Sequence, residues 1–250
     1  MSKAIVVIPV RLASTRLPNK PLVDIAGQPM LQHVYQRCLQ AKKIDEVHVA
    51  TDTTEIAQLV ESWGGTAWMT DESCQSGTER IVSIIHKLDA EIIINVQGDE
   101  PLLEPQVIDD MVIAFKTTKP MPDIVTPACQ IKPEDIFNPN VVKMVTQHDG
   151  YALYFSRNPI PYVRDVENDA QWQQKATFLG HLGMYGYRRH VLEQYNTLPE
   201  SPLEHIERLE QLRFLQAGLG IYTYPTEYSH ISVDTPDDLA KVRAIFAQRG

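Results

Sequence analysis

The sequence predicts a three-layer α/β fold. Short apolar runs of strand length alternate with amphipathic segments of helix length, which is a βαβ series. Continuous runs such as Ile92-Ile93-Ile94 read as strands buried on both faces, as in a parallel sheet with crossover helices. In chain order the pattern predicts a strand at 4–8, a helix from Pro29 to Ala41, a strand at 47–51 and a helix at 54–62. A short strand at 66–69, a helix at 77–88, a strand at 92–97 and a helix at 105–116 follow. After Pro120 the pattern loosens into strands near 123–130, 141–146 and 182–187, with a polar stretch at 165–176 that reads as an exposed loop. Helices return at 188–196 and at 202–217, where Leu203, Ile206, Leu209, Leu212 and Leu215 recur at helical spacing, and a last helix begins at Thr235-Pro236. No Gly- or Ser-rich linker separates domains, so residues 1–250 are expected to form a single domain.

Composition excludes several classes. Lys and Arg number 23 against 32 Asp and Glu, a net charge of −9 that argues against a basic face for nucleic acid. Cys38, Cys74 and Cys129 are odd in number, widely spaced and without CxxC pairing, which argues against a disulfide framework or a zinc site and favours a reducing cytoplasm. No apolar run reaches about 18 residues and the amino terminus enters a strand pattern at once, so a soluble, cytosolic protein without membrane insertion is expected.

Against this acidic background, the loop between Pro9 and Pro21 concentrates Arg11, Arg16 and Lys20 directly after the first strand. Ligands of open α/β sheets bind beyond the carboxyl ends of the strands, so these cations stand where a polyphosphate is expected. No Gly occurs between Met1 and Gly27, which rules out a GxGxxG turn or Walker A loop and leaves side chains to hold the phosphates. The plain alternative is a solvated basic loop.

Two carboxylates follow strands. Asp99, in Gln97-Gly98-Asp99-Glu100-Pro101, is the leading metal candidate, because magnesium takes one or two protein carboxylates and completes its shell with water and phosphate. Gly98 would permit close approach of the substrate; the alternative is an ordinary Gly-Asp turn. Asp234 precedes Thr235-Pro236-Asp237-Asp238, in which Thr235 is the natural N-cap and Asp238 completes a capping-box-like pattern. Asp234 is thereby left without a structural task, and with Asp99 it would hold one magnesium ion against a triphosphate.

These segments belong to a longer set of motifs: Pro9-Val10-Arg11, Ser14-Thr15-Arg16-Leu17-Pro18, Lys20-Pro21-Leu22, Ala50-Thr51-Asp52, Gln75-Ser76-Gly77-Thr78-Glu79-Arg80, and Asn95 to Pro101. Phe137-Asn138-Pro139-Asn140, Tyr154-Phe155-Ser156-Arg157, His181-Leu182-Gly183 with Tyr185, Leu209 to Arg213, and Val233-Asp234-Thr235-Pro236 complete it. In this order they resemble the 3-deoxy-manno-octulosonate cytidylyltransferases, or CMP-KDO synthetases, over nearly the whole chain. The resemblance implies a Rossmann-like nucleotidyltransferase fold with a mostly parallel mixed sheet, and attack of the anomeric hydroxyl of KDO on the α-phosphate of CTP, giving CMP-KDO and pyrophosphate for lipopolysaccharide synthesis. It also implies Mg2+ and a homodimer, with residues 1–120 mainly binding CTP and 121–250 mainly binding sugar and dimerising, without being separate domains.

Residue by residue, the resemblance assigns Pro9, Arg11, Arg16 and Lys20 to the phosphate loop, Ser76, Gly77 and Thr78 to the nucleotide, and Asp99 and Asp234 to magnesium. Arg80 is left between a structural and a binding role. For the sugar it implies Gln97, Arg157, His181, Tyr185, Glu210 and Gln211, with Arg157 a natural partner for the KDO carboxylate. On composition alone Glu210 reads as a solvated face, His181 as a hydrogen-bonded core histidine and Tyr185 as packing. The chain departs from the common pattern at Val10, Asn19, Cys74, Gly180 and Ser232; Gly180 and Cys74 leave room for an amino-substituted KDO analogue. The rivals are a glycosyltransferase of related architecture and a non-catalytic nucleotide-sensing module.

Overall fold

The computed structural model describes residues 2–14, 16–166, 168, 171–228 and 231–249. The chain forms two compact units, the first of Met1–Ile113, Met184–Glu193 and His230–Gly250, the second of Ala114–Gly183 and Gln194–Ser229. Residues 184–193 and 230–250, which the sequence reading put in the carboxyl-terminal half, thus belong with the first unit, and they take Asp234 with them.

In chain order the elements are β1 (Ala4–Val10), β2 (Asp24–Ile25), β3 (Gln28–Pro29), α1 (Met30–Leu39), β4 (Glu46–Thr51), α2 (Thr54–Ser62) and β5 (Thr66–Met69). Next come α3 (Gly77–Ile84), β6 (Ile92–Asn95), α4 (Pro105–Thr117), β7 (Ile124–Gln130), β8 (Lys143–Thr146) and β9 (Ala152–Ser156). The remainder is α5 (Trp172–Lys175), β10 (Leu179–His181), β11 (Tyr185–Arg188), α6 (Arg189–Glu193), α7 (Pro202–Glu207), α8 (Gln211–Gln216), β12 (Ile221–Pro225) and α9 (Pro236–Arg249).

In the first unit β1 pairs in parallel with β4 and β6, β4 in parallel with β5, and β11 antiparallel with β6. That is the mostly parallel mixed sheet expected from the sequence. All seven residues of β1 and all four of β6 are buried, as the apolar run of β1 and the run Ile92–Ile94 of β6 require. Burial of each Ile or Val contributes about 1.5–3 kcal/mol. The parallel arrangement sends β1, β4 and β6 out of the sheet at the same edge, so the loops beginning at Arg11, Asp52 and Val96 emerge side by side. In the second unit β7 pairs in parallel with β12 and antiparallel with β10, and β8 lies antiparallel to both β10 and β9. Among the described residues no helix is long and apolar enough to cross a membrane.

Several elements differ from the sequence reading. The helix expected at 77–88 ends at Ile84, with a 3-10 turn at Ile85–Lys87. The strand expected at 182–187 is β11, shifted to Tyr185–Arg188, and a separate strand, β10, precedes it. Strands β9 and β12 were not anticipated. The stretch 165–176, read as an exposed loop, contains α5, whose Trp172 is buried with Ile136, Val163 and Phe178; Glu167, Asp169 and Ala170 lie outside the described residues. The helix expected at 202–217 is two helices. It breaks at Arg208, which takes the left-handed conformation at φ 55°. There the carbonyls of Glu207 and Arg208 accept hydrogen bonds from the Arg157 guanidinium, at 2.8 Å from Nε and 3.4 Å from Nη2, where an unbroken helix would turn them to its own amides. Ile206, counted as part of the apolar face, is 77% exposed.

Candidate active site

Strand β1 delivers the chain into the cationic loop, and packing fixes the path of that loop. Leu17 joins a buried cluster with Ile25, Met30, Leu102, Val233, Leu239 and Val242, which ties the loop to the segments carrying the two candidate aspartates. The Leu17 amide donates to the Ser14 hydroxyl at 3.3 Å. Asn19 adopts a left-handed conformation, one of the few residue types that does so readily, and turns the chain into a 3-10 turn at Lys20–Leu22 with Pro21 buried.

Lys20 is thereby aimed at the acidic strand ends. Its Nζ lies 2.5 Å from Asp99 Oδ2 and 2.8 Å from Asp234 Oδ1, and Arg16 Nη2 lies 3.3 Å from the same Asp234 oxygen. The Val233 amide donates to the Asp99 carbonyl at 2.9 Å, which stitches the two acidic segments together at the backbone. Burial lowers the pKa of Lys20, but the charges and hydrogen bonds of Asp99 and Asp234 outweigh it and leave the value raised, so the group is a fixed ammonium. Arg16 is different in kind. Its side chain is 67% exposed, and an exposed ion pair contributes only about 0–1 kcal/mol, so it is available to a ligand at little cost. Arg11 is also exposed.

Around these groups lies a cavity of about 630 Å³, lined by Pro9, Arg11, Arg16 and Lys20, by Ser76 and Gly77, and by Gln97, Gly98, Asp99 and Asp234, among others. The volume is that of a nucleotide-sized ligand. The α3 end of its wall is built locally: the Ser76 hydroxyl accepts from the Glu79 amide at 3.1 Å, and the Glu79 carboxylate accepts from the Gln75 amide at 2.7 Å. Thr78 is buried, its hydroxyl 3.4 Å from that of Tyr187, and it is not among the lining residues. Arg80 is almost fully buried, donates to Asp52 at 2.8 Å and bonds the Thr70 hydroxyl, so it braces α3 against the segments after β4 and β5.

The glycines of this wall have a packing reason that sequence did not disclose. A Cβ on Gly77 would stand 2.9 Å from Pro9 Cγ, and one on Gly98 would stand 2.9 Å from Val10 Cγ2. Both let neighbouring segments close against β1. For Gly98 this is a different reason from the substrate approach expected of it. In the second unit, a Cβ on Gly180 would meet Ile131 Cγ2 at 2.2 Å, so Ile131 fills the space of a side chain there.

The residues assigned to a sugar are distributed over both units. In the first, Tyr185 is buried and stacked on Tyr187 with ring centroids 5.8 Å apart, its Cα in register with Asn95, and Gln97 Nε2 lies 3.4 Å from Asn95 Oδ1. In the second, His181 packs edge-on against Phe155 at 5.2 Å, and Glu210 accepts from the Tyr195 hydroxyl at 2.7 Å. Gln211 begins α8, is 4% exposed, and its Nε2 has no hydrogen-bond partner among the described residues. Leaving such a donor unsatisfied costs about 1–3 kcal/mol, which a ligand acceptor would recover.

Sequence reasoning missed the scaffold around Arg157. Its guanidinium donates to the carbonyls of Glu207, Arg208 and, at 2.9 Å, Pro139, while the Glu207 carboxylate accepts from the Arg157 amide at 3.0 Å and the Ser156 hydroxyl at 2.6 Å. Lys143, fully buried, donates to the carbonyls of Asn138, Val141 and Arg157. Burial and then the Arg157 charge lower its pKa against the opposing pull of Glu207 and Asp135. A signal existed, since Lys143 is a lone charge in Val141-Val142-Lys143-Met144-Val145.

The donor set at the front of the cavity suits magnesium. Asp99 and Asp234 are hard oxygen donors already converging on one cation, and since their two oxygens lie 2.5 and 2.8 Å from the same nitrogen, they are no more than the sum, 5.3 Å, apart.

Residues 5–222 match the family model described as cytidylyltransferase. The chain is 46% identical to the 3-deoxy-manno-octulosonate cytidylyltransferase of Escherichia coli, covering 99% of this chain and 98% of that protein. It is 45% identical to the protein of the same name from Chloroherpeton thalassium, covering 99% of each. A solved structure of CMP:2-keto-3-deoxy-manno-octonic acid synthetase complexed with CTP superposes with a TM-score of 0.93 at 45% identity over the whole of both chains.

Proposed function

We propose, from the premise that this chain belongs to the cytidylyltransferase family, that it transfers the CMP moiety of CTP to the anomeric hydroxyl of KDO, with release of pyrophosphate. The observation that carries this reading is the meeting of Lys20 and Arg16 with Asp99 and Asp234 on the wall of one nucleotide-sized cavity. Cations for a polyphosphate and carboxylates for a divalent ion are both needed for metal-assisted transfer from a triphosphate.

In this reading Arg11, Arg16 and Lys20 gather the triphosphate and stabilise the negative charge that builds on the departing pyrophosphate. Pro9, Ser76 and Gly77 shape the cavity for the nucleoside, with Thr78 buried behind them. Asp99 and Asp234 hold Mg2+, which when bound supplies neutralising charge to the phosphates and acidity to a bound hydroxyl. Most of the rate then comes from positioning and preorganised charge, without a dedicated general base. For the acidic sugar, Gln97 and Tyr185 keep their assignment in the first unit, and Arg157, His181, Glu210 and Gln211 keep theirs in the second. The unsatisfied Gln211 amide supports that assignment. A homodimer, a cytoplasmic location and a place in lipopolysaccharide synthesis belong to the same reading.

The test is a mixed pool of nucleoside triphosphates with Mg2+, assayed for pyrophosphate with KDO, with its amino-substituted analogue, and without sugar. Consumption of CTP alone, dependent on KDO, is expected. Pyrophosphate formed from another nucleotide or without sugar would refute the assignment, and preference for the amino analogue would change the acceptor.

A further inference from the structure

We infer that Lys20 is an exchangeable internal counter-cation: in the nucleotide-free protein it closes Asp99 and Asp234 to divalent cations, and it releases them when a triphosphate offers it other anions. The inference rests on the nucleotidyl-transfer reading above and adds an order to it, in which cation and nucleotide load together.

The geometry supplies the competition. One ammonium takes an oxygen from each aspartate, at 2.5 and 2.8 Å, and those are distances at which the oxygen lone pairs are engaged with N–H donors. Magnesium binds such oxygens at about 2.0–2.1 Å, so an ion on the same Asp99 oxygen would stand within about 4.6 Å of the ammonium, and the two positive charges compete for the acidic pair. Without Lys20, two like charges no more than 5.3 Å apart, the sum of those two distances, would face each other with Arg16 as the nearby counter-charge. Lys20 therefore holds the acidic pair together and keeps it occupied.

The geometry also says which part moves. Asn19 and the buried Pro21 fix the backbone on either side, whereas the lysine carries its charge on a flexible four-carbon stem. Arg11 and Arg16 line the same cavity and would bring phosphate oxygens within reach of that stem. An arginine would bridge the two carboxylates with a rigid fork and release them less readily.

Mn2+ binding followed by electron paramagnetic resonance, in the absence of nucleotide and sugar, tests this without turnover. Lys20→Gln should bind Mn2+ about tenfold more tightly than the wild type, equivalent to about 1.4 kcal/mol, and the gain should disappear in Lys20→Gln/Asp99→Asn. Lys20→Met provides the same comparison with an apolar side chain. Mn2+ affinity unchanged or weakened in Lys20→Gln would overturn the inference, as would a gain that survives loss of Asp99. Failure of CTP and KDO to react would refute the functional reading and leave this binding result standing.

Discussion

Gly98→Ala is expected to damage catalysis through a single contact. The new methyl would lie 2.9 Å from Val10 Cγ2, 3.6 Å from Ile8 Cγ2 and 3.7 Å from the Pro9 carbonyl oxygen. Ordinary contact begins at 3.4 Å, so restoring it parts β1 and the Gly98-Asp99 turn by the difference, about 0.5 Å. Gly98 has no positive φ, so an alanine meets no backbone strain and the cost is overpacking, about 1–3 kcal/mol. Val10 and Ile8 are buried in a fully buried strand and have little room to yield, so the displacement falls on the turn and on Asp99, which Lys20 holds at 2.5 Å. Misplacement by 1 Å can cost about a hundredfold in rate, so half that displacement predicts roughly a tenfold loss of kcat. Val10→Ala removes the clashing atom. Alone it should destabilise by about 1–2 kcal/mol through lost burial, but combined with Gly98→Ala it should restore most of the turnover and show a favourable coupling of about 1 kcal/mol. Urea unfolding and pyrophosphate release, measured on all four members of the cycle, are the assays. Wild-type kcat in Gly98→Ala, or a cycle without coupling, would refute the reasoning.

Three further outcomes can be checked with the same assays. Asp99→Asn should reduce kcat by about a hundredfold or more while the fold persists, and near wild-type turnover with saturating Mg2+ would remove Asp99 from the metal site. Arg16→Ala should weaken the handling of CTP and pyrophosphate with a stability change within about 0.5 kcal/mol, because its side chain is 67% exposed; unchanged kinetics for both ligands would cancel its role. The Asp238 carboxyl is held below its ordinary value of 3.8, chiefly by the hydrogen bond from the Thr235 hydroxyl. Its contribution to stability is therefore present above that value and lost as pH falls through the lower folded one. Asp238→Ala should accordingly cost about 1 kcal/mol near pH 7, and the deficit should shrink near pH 3; an equal deficit at both would show that the capping charge is not the cause.

The site was legible where the signal was local. Asp234 could be singled out because Thr235 and Asp238 already account for the helix start, and the structure shows that cap, with the Asp238 amide 3.2 Å from the Thr235 hydroxyl and the Thr235 amide 3.1 Å from the Asp238 carboxylate. Arg16 and Lys20 stood out as a charge density without a local partner, and their partners are 218 and 79 residues away in sequence. The break at Arg208 was illegible for the complementary reason. Helical spacing from Leu203 to Leu215 is a local pattern, and what interrupts it is Arg157, whose guanidinium draws carbonyls from a segment 50 and 51 residues distant. The buried Lys143 and the packing of Gly98 on Val10 are hidden in the same way.

By itself the amino-acid sequence determined the alternation of strand and helix, the apolar runs of β1 and of Ile92–Ile94 in β6, and the chemical kinds of side chain that follow their carboxyl ends. Those follow from periodicity and from residue chemistry, which act over a few neighbours. Only the tertiary structure decided that one lysine stands between two aspartates from separate segments, which glycine must lack a side chain and why, and where a helix yields its carbonyls to an arginine. These depend on distances between segments remote in the chain, and such distances are set when the sheets and helices pack.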